Sequence, residues 1–149
     1  MIRILFQTGN DKAALVLRIM LGVVFFPHGM QKLLGWFGGP GFSGSMNMFT
    51  SDMGIPALFA FLAIMAEGLG SLGLLSGLLT RVAALGITVN MMVAVAMVHW
   101  KNGFFMNWFG NQKGEGFEYH LLVIAIGIAL MIRGGGALSL DRVIAEKIK

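Results

Sequence analysis

Residues 13–33 read AALVLRIMLGVVFFPHGMQKL, an apolar run long enough to cross a bilayer that nevertheless carries Arg18, His28 and Lys32. A hydrocarbon core of about 30 Å asks for about 20 residues of helix. Each ionisable group placed there costs about 2.5 to 3.5 kcal/mol on insertion scales, so such groups must face one another, water or a ligand. Three further runs qualify: 56–79, which holds Glu67; 82–100, which closes on His99; and roughly 117–132, which reaches a spanning length only with Glu118 and His120 included. The reading is an all-α integral membrane protein, a four-helix transmembrane bundle forming one domain over residues 1–149.

Composition agrees. Hydrophobic residues make up 56% of the chain and charged residues 12%, with a mean hydropathy of +0.78, well outside the soluble range. No cysteine is present, which excludes a disulfide, a CxxC redox pair, thiolate metal ligands and a cysteine nucleophile in this chain. Any redox chemistry must use something bound. The first run is read as a helix rather than a cleaved leader, because Arg18 interrupts it and no small-residue cleavage site follows before His28.

Asp11 is placed to cap the first helix, Pro56 to open the second, and Gly134, Gly135 and Gly136 to end the fourth. Only Thr80 and Arg81 separate the second and third spans, so these form a tight antiparallel hairpin. Four spans put both termini on one side, where Arg3, Lys12, Arg81, Arg133, Arg142, Lys147 and Lys149 outweigh Lys32, Lys101 and Lys113. The positive-inside bias then places both termini of this multi-pass protein in the cytoplasm and its two longer connections on the outer side, which in a bacterium would be periplasmic. It also accounts for the net charge of +4 without any nucleic-acid partner.

In this orientation His28, Lys32, His99, Glu118 and His120 gather at one outer level, and Glu67 lies about 16 Å past Pro56, near the midplane. Arg18 is the other deep charge, and an Arg18–Glu67 ion pair is expected. Arg18, Gly22, Phe25, Gly29 and Lys32 share one helical stripe, answered on the second span by Ala63, Glu67, Gly70 and Ser71. Such small-residue stripes allow close helix approach and favour a homodimer.

Leu17-Arg18, then Gly22, then His28-Gly29-Met30-Gln31-Lys32-Leu33 running into Gly35-Trp36-Phe37-Gly38-Gly39 resemble the first-helix signature of the DoxX family of small four-span bacterial membrane proteins. Ala66-Glu67-Gly68-Leu69-Gly70, Gly77-Leu78-Leu79-Thr80-Arg81, His99 before an aromatic loop, Glu118-Tyr119 and Ser139-Leu140-Asp141 follow in the family's order. The resemblance covers about residues 14–141. It implies a membrane component of oxidoreductase systems, either a subunit of a thiosulfate:quinone oxidoreductase or a membrane partner of a soluble redox enzyme.

Residue chemistry is compatible with a quinone, which needs an apolar slot, donors to its two carbonyl oxygens and groups that exchange protons. His28, Lys32, Glu67, His99, Glu118 and His120 are the candidate catalytic groups, with Arg18, Phe25, Gln31, Trp36 and Trp100 as cofactor-binding residues. A second reading uses His28, His99, His120 and Glu118 as ligands to zinc, copper or iron. A third makes the chain a non-catalytic adaptor or assembly partner for a soluble or membrane oxidoreductase, contacting it through aromatic outer loops. Residues 36–42 and 103–110 are expected to fold back over the bundle. Ser45 to Asp52 is expected to form an interfacial helix with Met46, Phe49 and Met53 toward lipid. Ser139 is expected to cap an amphipathic helix over 140–148, with Arg142, Lys147 and Lys149 facing outward.

Overall fold

Each long apolar run becomes a helix with identifiable ends. The structure is a computed structural model and describes residues 2–148; Lys149, counted above among the basic residues of the tail, lies outside the described residues. A short helix α1, Ile2–Phe6, which the sequence reading did not assign, precedes α2, Lys12–Leu34. Asp11 caps α2 as expected, its carboxylate accepting the amide hydrogens of Ala13 and Ala14 at 2.9 and 3.2 Å. Helix α3, Gly41–Asn47, runs into a wide π turn, Met48–Asp52, and the pair forms a strap leading to α4, Ala57–Ser76. Helix α5, Thr80–Ala94, continues through a second π turn, Val95–His99, and a 3-10 turn, Trp100–Asn102. Helices α6, Glu118–Arg133, and α7, Leu140–Lys147, complete the chain.

The four long helices pack as a bundle in which α2 lies against α4, α4 against α5 and α5 against α6, with a lighter α2–α6 contact closing the ring. Ile64, Leu74, Ile87 and Leu130 are wholly buried at its centre. The outward surface is apolar too. Val16, Met20, Leu58, Phe59, Leu69, Leu122 and Ile132 are all at least half exposed, a patch that soluble monomers do not tolerate. Helices α2, α4 and the α5 continuation are each long and apolar enough to cross a membrane. This is a membrane protein.

The predicted glycine stripe of α2 packs against α4, as anticipated. A Cβ on Gly29 would sit 2.4 Å from the carbonyl oxygen of Glu67 and 2.7 Å from Cα of Gly68. The α2 and α4 backbones therefore touch at this level.

The hairpin differs from expectation. Helix α4 ends at Gly77 in the left-handed conformation (φ 69°), and α5 already begins at Thr80, so the connection is 77–79 rather than Thr80 and Arg81. The cause is remote in sequence: the buried Asp141 carboxylate accepts the amide hydrogens of Leu79 and Thr80 at 2.7 and 2.9 Å and caps α5. Ser139 caps α7 as predicted, accepting from the Arg142 amide. The α1–α2 junction, this hairpin and the α6–α7 turn meet at one end of the bundle, joined by Arg81 to the Gln7 carbonyl, Arg142 to Asn10, and Arg133 to Asp11.

Candidate functional site

The expected Arg18–Glu67 pair does not form. Arg18 is 1% exposed and directs its five N–H groups to five carbonyl oxygens: Gly135, Leu74, Leu75, Ala137 and Leu138, at 2.8 to 3.2 Å. Leu74 and Leu75 belong to the last turn of α4, whose carbonyls carry the negative end of the helix dipole. A planar fork with five fixed donors suits that task, so Arg18 locks the end of the bundle at which the termini meet.

Glu67 pairs instead with Lys32, Nζ to Oε2 at 2.5 Å. The Gly29 contact one turn earlier brings α2 close enough for the pair to form. Asn90 of α5 adds a third member, its amide donating to the Ala63 carbonyl at 2.8 Å and to Glu67 Oε1 at 3.4 Å. The sequence reading missed Asn90, having followed ionisable groups alone; an amide inside an apolar span is a comparable signal.

Lys32, Glu67 and Asn90 form one polar side of a cavity of about 390 Å³ lined by α2, the strap, α4, α5 and α6. The other polar side is a histidine pair. The rings of His99 and His120 lie 4.0 Å apart between centroids, tilted by 40°. His99 reaches the cavity because of the π turn that ends on it. Along a straight helix of about 100° per residue, nine residues from Asn90 would place His99 on the opposite face; the wider turn takes up the extra residue and brings it round. Its Nδ1 lies 2.9 Å from the Glu115 carbonyl oxygen, which only accepts, so Nδ1 carries the proton and Nε2 of the neutral ring does not. His120 is 6% exposed, and its Nδ1 is buried without a hydrogen-bond partner among the described residues.

Phe25, Phe49, Met91 and Tyr119 supply walls, and His28 lies at the edge of the lining with its ring 6.3 Å from Phe25. Phe49 and Met53 line the cavity rather than facing lipid as predicted, because the strap folds inward at Met48–Asp52.

Five expected residues lie elsewhere. Glu118 begins α6 and accepts the Met106 amide hydrogen at 2.9 Å, which ties it to the 103–106 loop. Gln31 donates to the Phe37 carbonyl. Trp36 is half exposed, and Trp100, 68% exposed, stacks on Phe117. Arg18 sits at the far end of the bundle, and none of the five lines the cavity. Among the described residues, no group of three or more His, Asp or Glu side chains is arranged to hold a metal ion. The 103–110 loop does not fold back over the bundle as expected. Glu115 accepts from the Asn107 amide and Glu118 from that of Met106, so the loop is propped outward with Trp108 and Phe109 at 80% and 89% exposure.

The DoxX family model matches residues 13–100. A Bacillus subtilis protein named "Putative oxidoreductase CatD" is 32% identical, over 85% of this chain and 83% of its own length. A Haemophilus influenzae protein is 30% identical, over 93% and 87%. "Inner membrane protein YqjF" of Escherichia coli is 29% identical, over 93% and 96%. No solved structure matches the chain.

Proposed function

This chain belongs to the DoxX family, and from that premise we propose that it is the quinone-binding membrane component of an oxidoreductase system in a bacterial inner membrane. The observation that carries the reading is the cavity: largely apolar, within the size range of small-molecule sites, with polar groups converging from two sides. Two histidines and a Lys–Glu–Asn cluster are a sparing set of donors and proton carriers for a ring with two carbonyl oxygens. The unpartnered Nδ1 of His120 supports it further, since an unmet buried polar atom costs about 1 to 3 kcal/mol that a hydrogen-bonding ligand offsets.

A quinone supplies a two-electron, two-proton acceptor. The protein's part is to bind, orient and exchange protons. Lys32 is held by Glu67 so that its charge stands beside the headgroup, and Asn90 fixes that carboxylate in turn. His99, with its Nδ1 proton committed to Glu115, offers Nε2 as an acceptor, and His120 stands against it as the second proton-carrying ring.

In this reading α6 is a fourth span. Its 16 residues cover about 24 Å, a little short of a hydrocarbon core of about 30 Å. The basic excess at the end where the termini meet orients that end to the cytoplasm and the cavity to the outer half. One observation favours a second reading, a non-catalytic adaptor for a partner oxidoreductase: the outward-propped Trp108 and Phe109, placed as partner anchors are.

The test is equilibrium binding of a decyl-tailed benzoquinone to the protein in lipid nanodiscs. His120→Phe and Asn90→Leu are expected to weaken binding about tenfold or more, and Glu118→Gln to leave it within about twofold. Non-saturating uptake, or equal affinity in all variants, overturns the quinone reading and leaves the adaptor.

A further inference from the structure

The cavity has an apolar side opening that faces the membrane. Its rim is made by Met48 on the strap and by Val93 and Met97 on α5, which line the cavity and yet are 36%, 44% and 45% exposed. A side chain that belongs at once to a cavity wall and to the outer surface marks a mouth. The strap does not close it, since Met48–Asp52 packs on α3 and α4 and makes no more than marginal contact with α5. The ionisable groups of the lining are on α2, on α4 and in the α5–α6 histidine pair, and Asn90, the polar group that shares α5 with Val93 and Met97, directs its amide to Ala63 and Glu67 of α4. A route lined by thioethers and a valine, opening on a bundle face that also carries Val89 and Met92, offers a charged aqueous ligand nothing. It offers a hydrocarbon chain continuity with the bilayer.

We propose that this mouth is a lateral portal: the ligand enters from the membrane plane, its headgroup seats against the histidine pair and its hydrophobic tail stays in the Met48–Val93–Met97 gap. The inference rests on the quinone reading and names the ligand class, a membrane-dissolved quinone with a long apolar tail rather than a small water-soluble one. Methionine is suited to the gap, being unbranched and adaptable around a flexible chain.

The chain has no cysteine, so a thiol introduced at one position is the only one a maleimide meets. Met97→Cys in nanodiscs is alkylated with N-benzylmaleimide, and binding of a decyl-tailed benzoquinone is compared with that of the same ring lacking the tail. Val89→Cys, exposed on α5 but not part of the lining, is the control. Alkylation at Met97→Cys is expected to weaken the tailed quinone about tenfold or more while leaving the tail-less ring within about twofold, and alkylation at Val89→Cys to change neither. Equal loss of both ligands at Met97→Cys, or loss of neither, overturns the portal with the quinone site intact. Displacement of the tailed quinone by decanol at equal concentration assigns the gap to lipid chains and overturns it as well. If neither quinone binds the unmodified protein, the site reading and the portal fall together.

Discussion

Removing Lys32 should destabilise the protein far more than removing Lys32 and Glu67 together. The Glu67 side chain is 9% exposed and that of Lys32 21%, with 2.5 Å between the charged atoms, and the next polar contact of the carboxylate is Asn90 at 3.4 Å. Lys32→Met therefore leaves a nearly buried carboxylate with one weak neutral partner. Breaking a buried pair from one side costs about 3 to 5 kcal/mol, whereas replacing both partners by apolar groups is often close to neutral. Lys32 keeps some access to water, so the lower figure applies. For a chain of this length about 3 kcal/mol corresponds to a fall in Tm of about 6 to 12 °C. Thermal unfolding in nanodiscs of the single variants Lys32→Met and Glu67→Leu and of the double variant completes a double-mutant cycle, with an expected coupling of about 2 kcal/mol or more. Arg18 supplies the contrast. It is bonded only to carbonyls, and its α4 contact at Leu74 is seven residues, about 10 Å, beyond Glu67. An Arg18→Leu/Glu67→Leu cycle should be additive within about 0.5 kcal/mol. Coupling between Arg18 and Glu67, or additivity between Lys32 and Glu67, would refute the assignment of partners.

Three further outcomes follow from the packing. Gly29→Ala drives a methyl group into the Glu67 carbonyl at 2.4 Å, and because the obstacle is backbone the change should cost about 3 kcal/mol, read as a lower Tm, and should weaken quinone binding by separating Lys32 from Glu67. Asp141→Ala removes the cap of α5 and should cost about 1 to 2 kcal/mol, with faster hydrogen exchange at Leu79 and Thr80 as the local signature. The Arg133 guanidinium, then the Ala14 amide, hold the Asp11 carboxyl below its usual 3.8. Its contribution to stability is thus present above pH 3.8 and is lost as pH falls through the lower folded value. Acid unfolding of Arg133→Met should begin at higher pH than in the parent, and coincident curves would remove Asp11 from the acid response.

The bundle was legible because its signals are local. The 13–33 run, the Asp11 and Ser139 caps, the Gly134 stop and the Gly22–Gly29 stripe each depend on residues within a few turns of one another. What was misread depends on groups with no sequence signature. Arg18 is satisfied entirely by main-chain carbonyls, and a search for a charged partner passes over these. The α5 cap comes from Asp141, more than sixty positions away, so the hairpin was placed late. His99 stands beside His120, and the π turn that carries it there is a backbone irregularity that helical periodicity does not encode. Glu118 shares the depth of the histidines, but its neighbour in space, the Met106 amide, claims its carboxylate first. Phe49 and Met53 read as lipid-facing because an amphipathic strap looks the same whether its apolar side meets lipid or a cavity.

In the proposed site a quinone headgroup seats between the Lys32–Glu67–Asn90 cluster and the His99–His120 pair. Photo-crosslinking with a ring-azido decyl-tailed benzoquinone in nanodiscs, followed by mapping of the labelled peptides, tests it directly. Label concentrated on residues 90–99 and 119–120, displaced by the parent quinone, is the predicted result. Label confined to the 103–113 loop or to the Arg18 end of the bundle, or label that excess quinone does not displace, would contradict it.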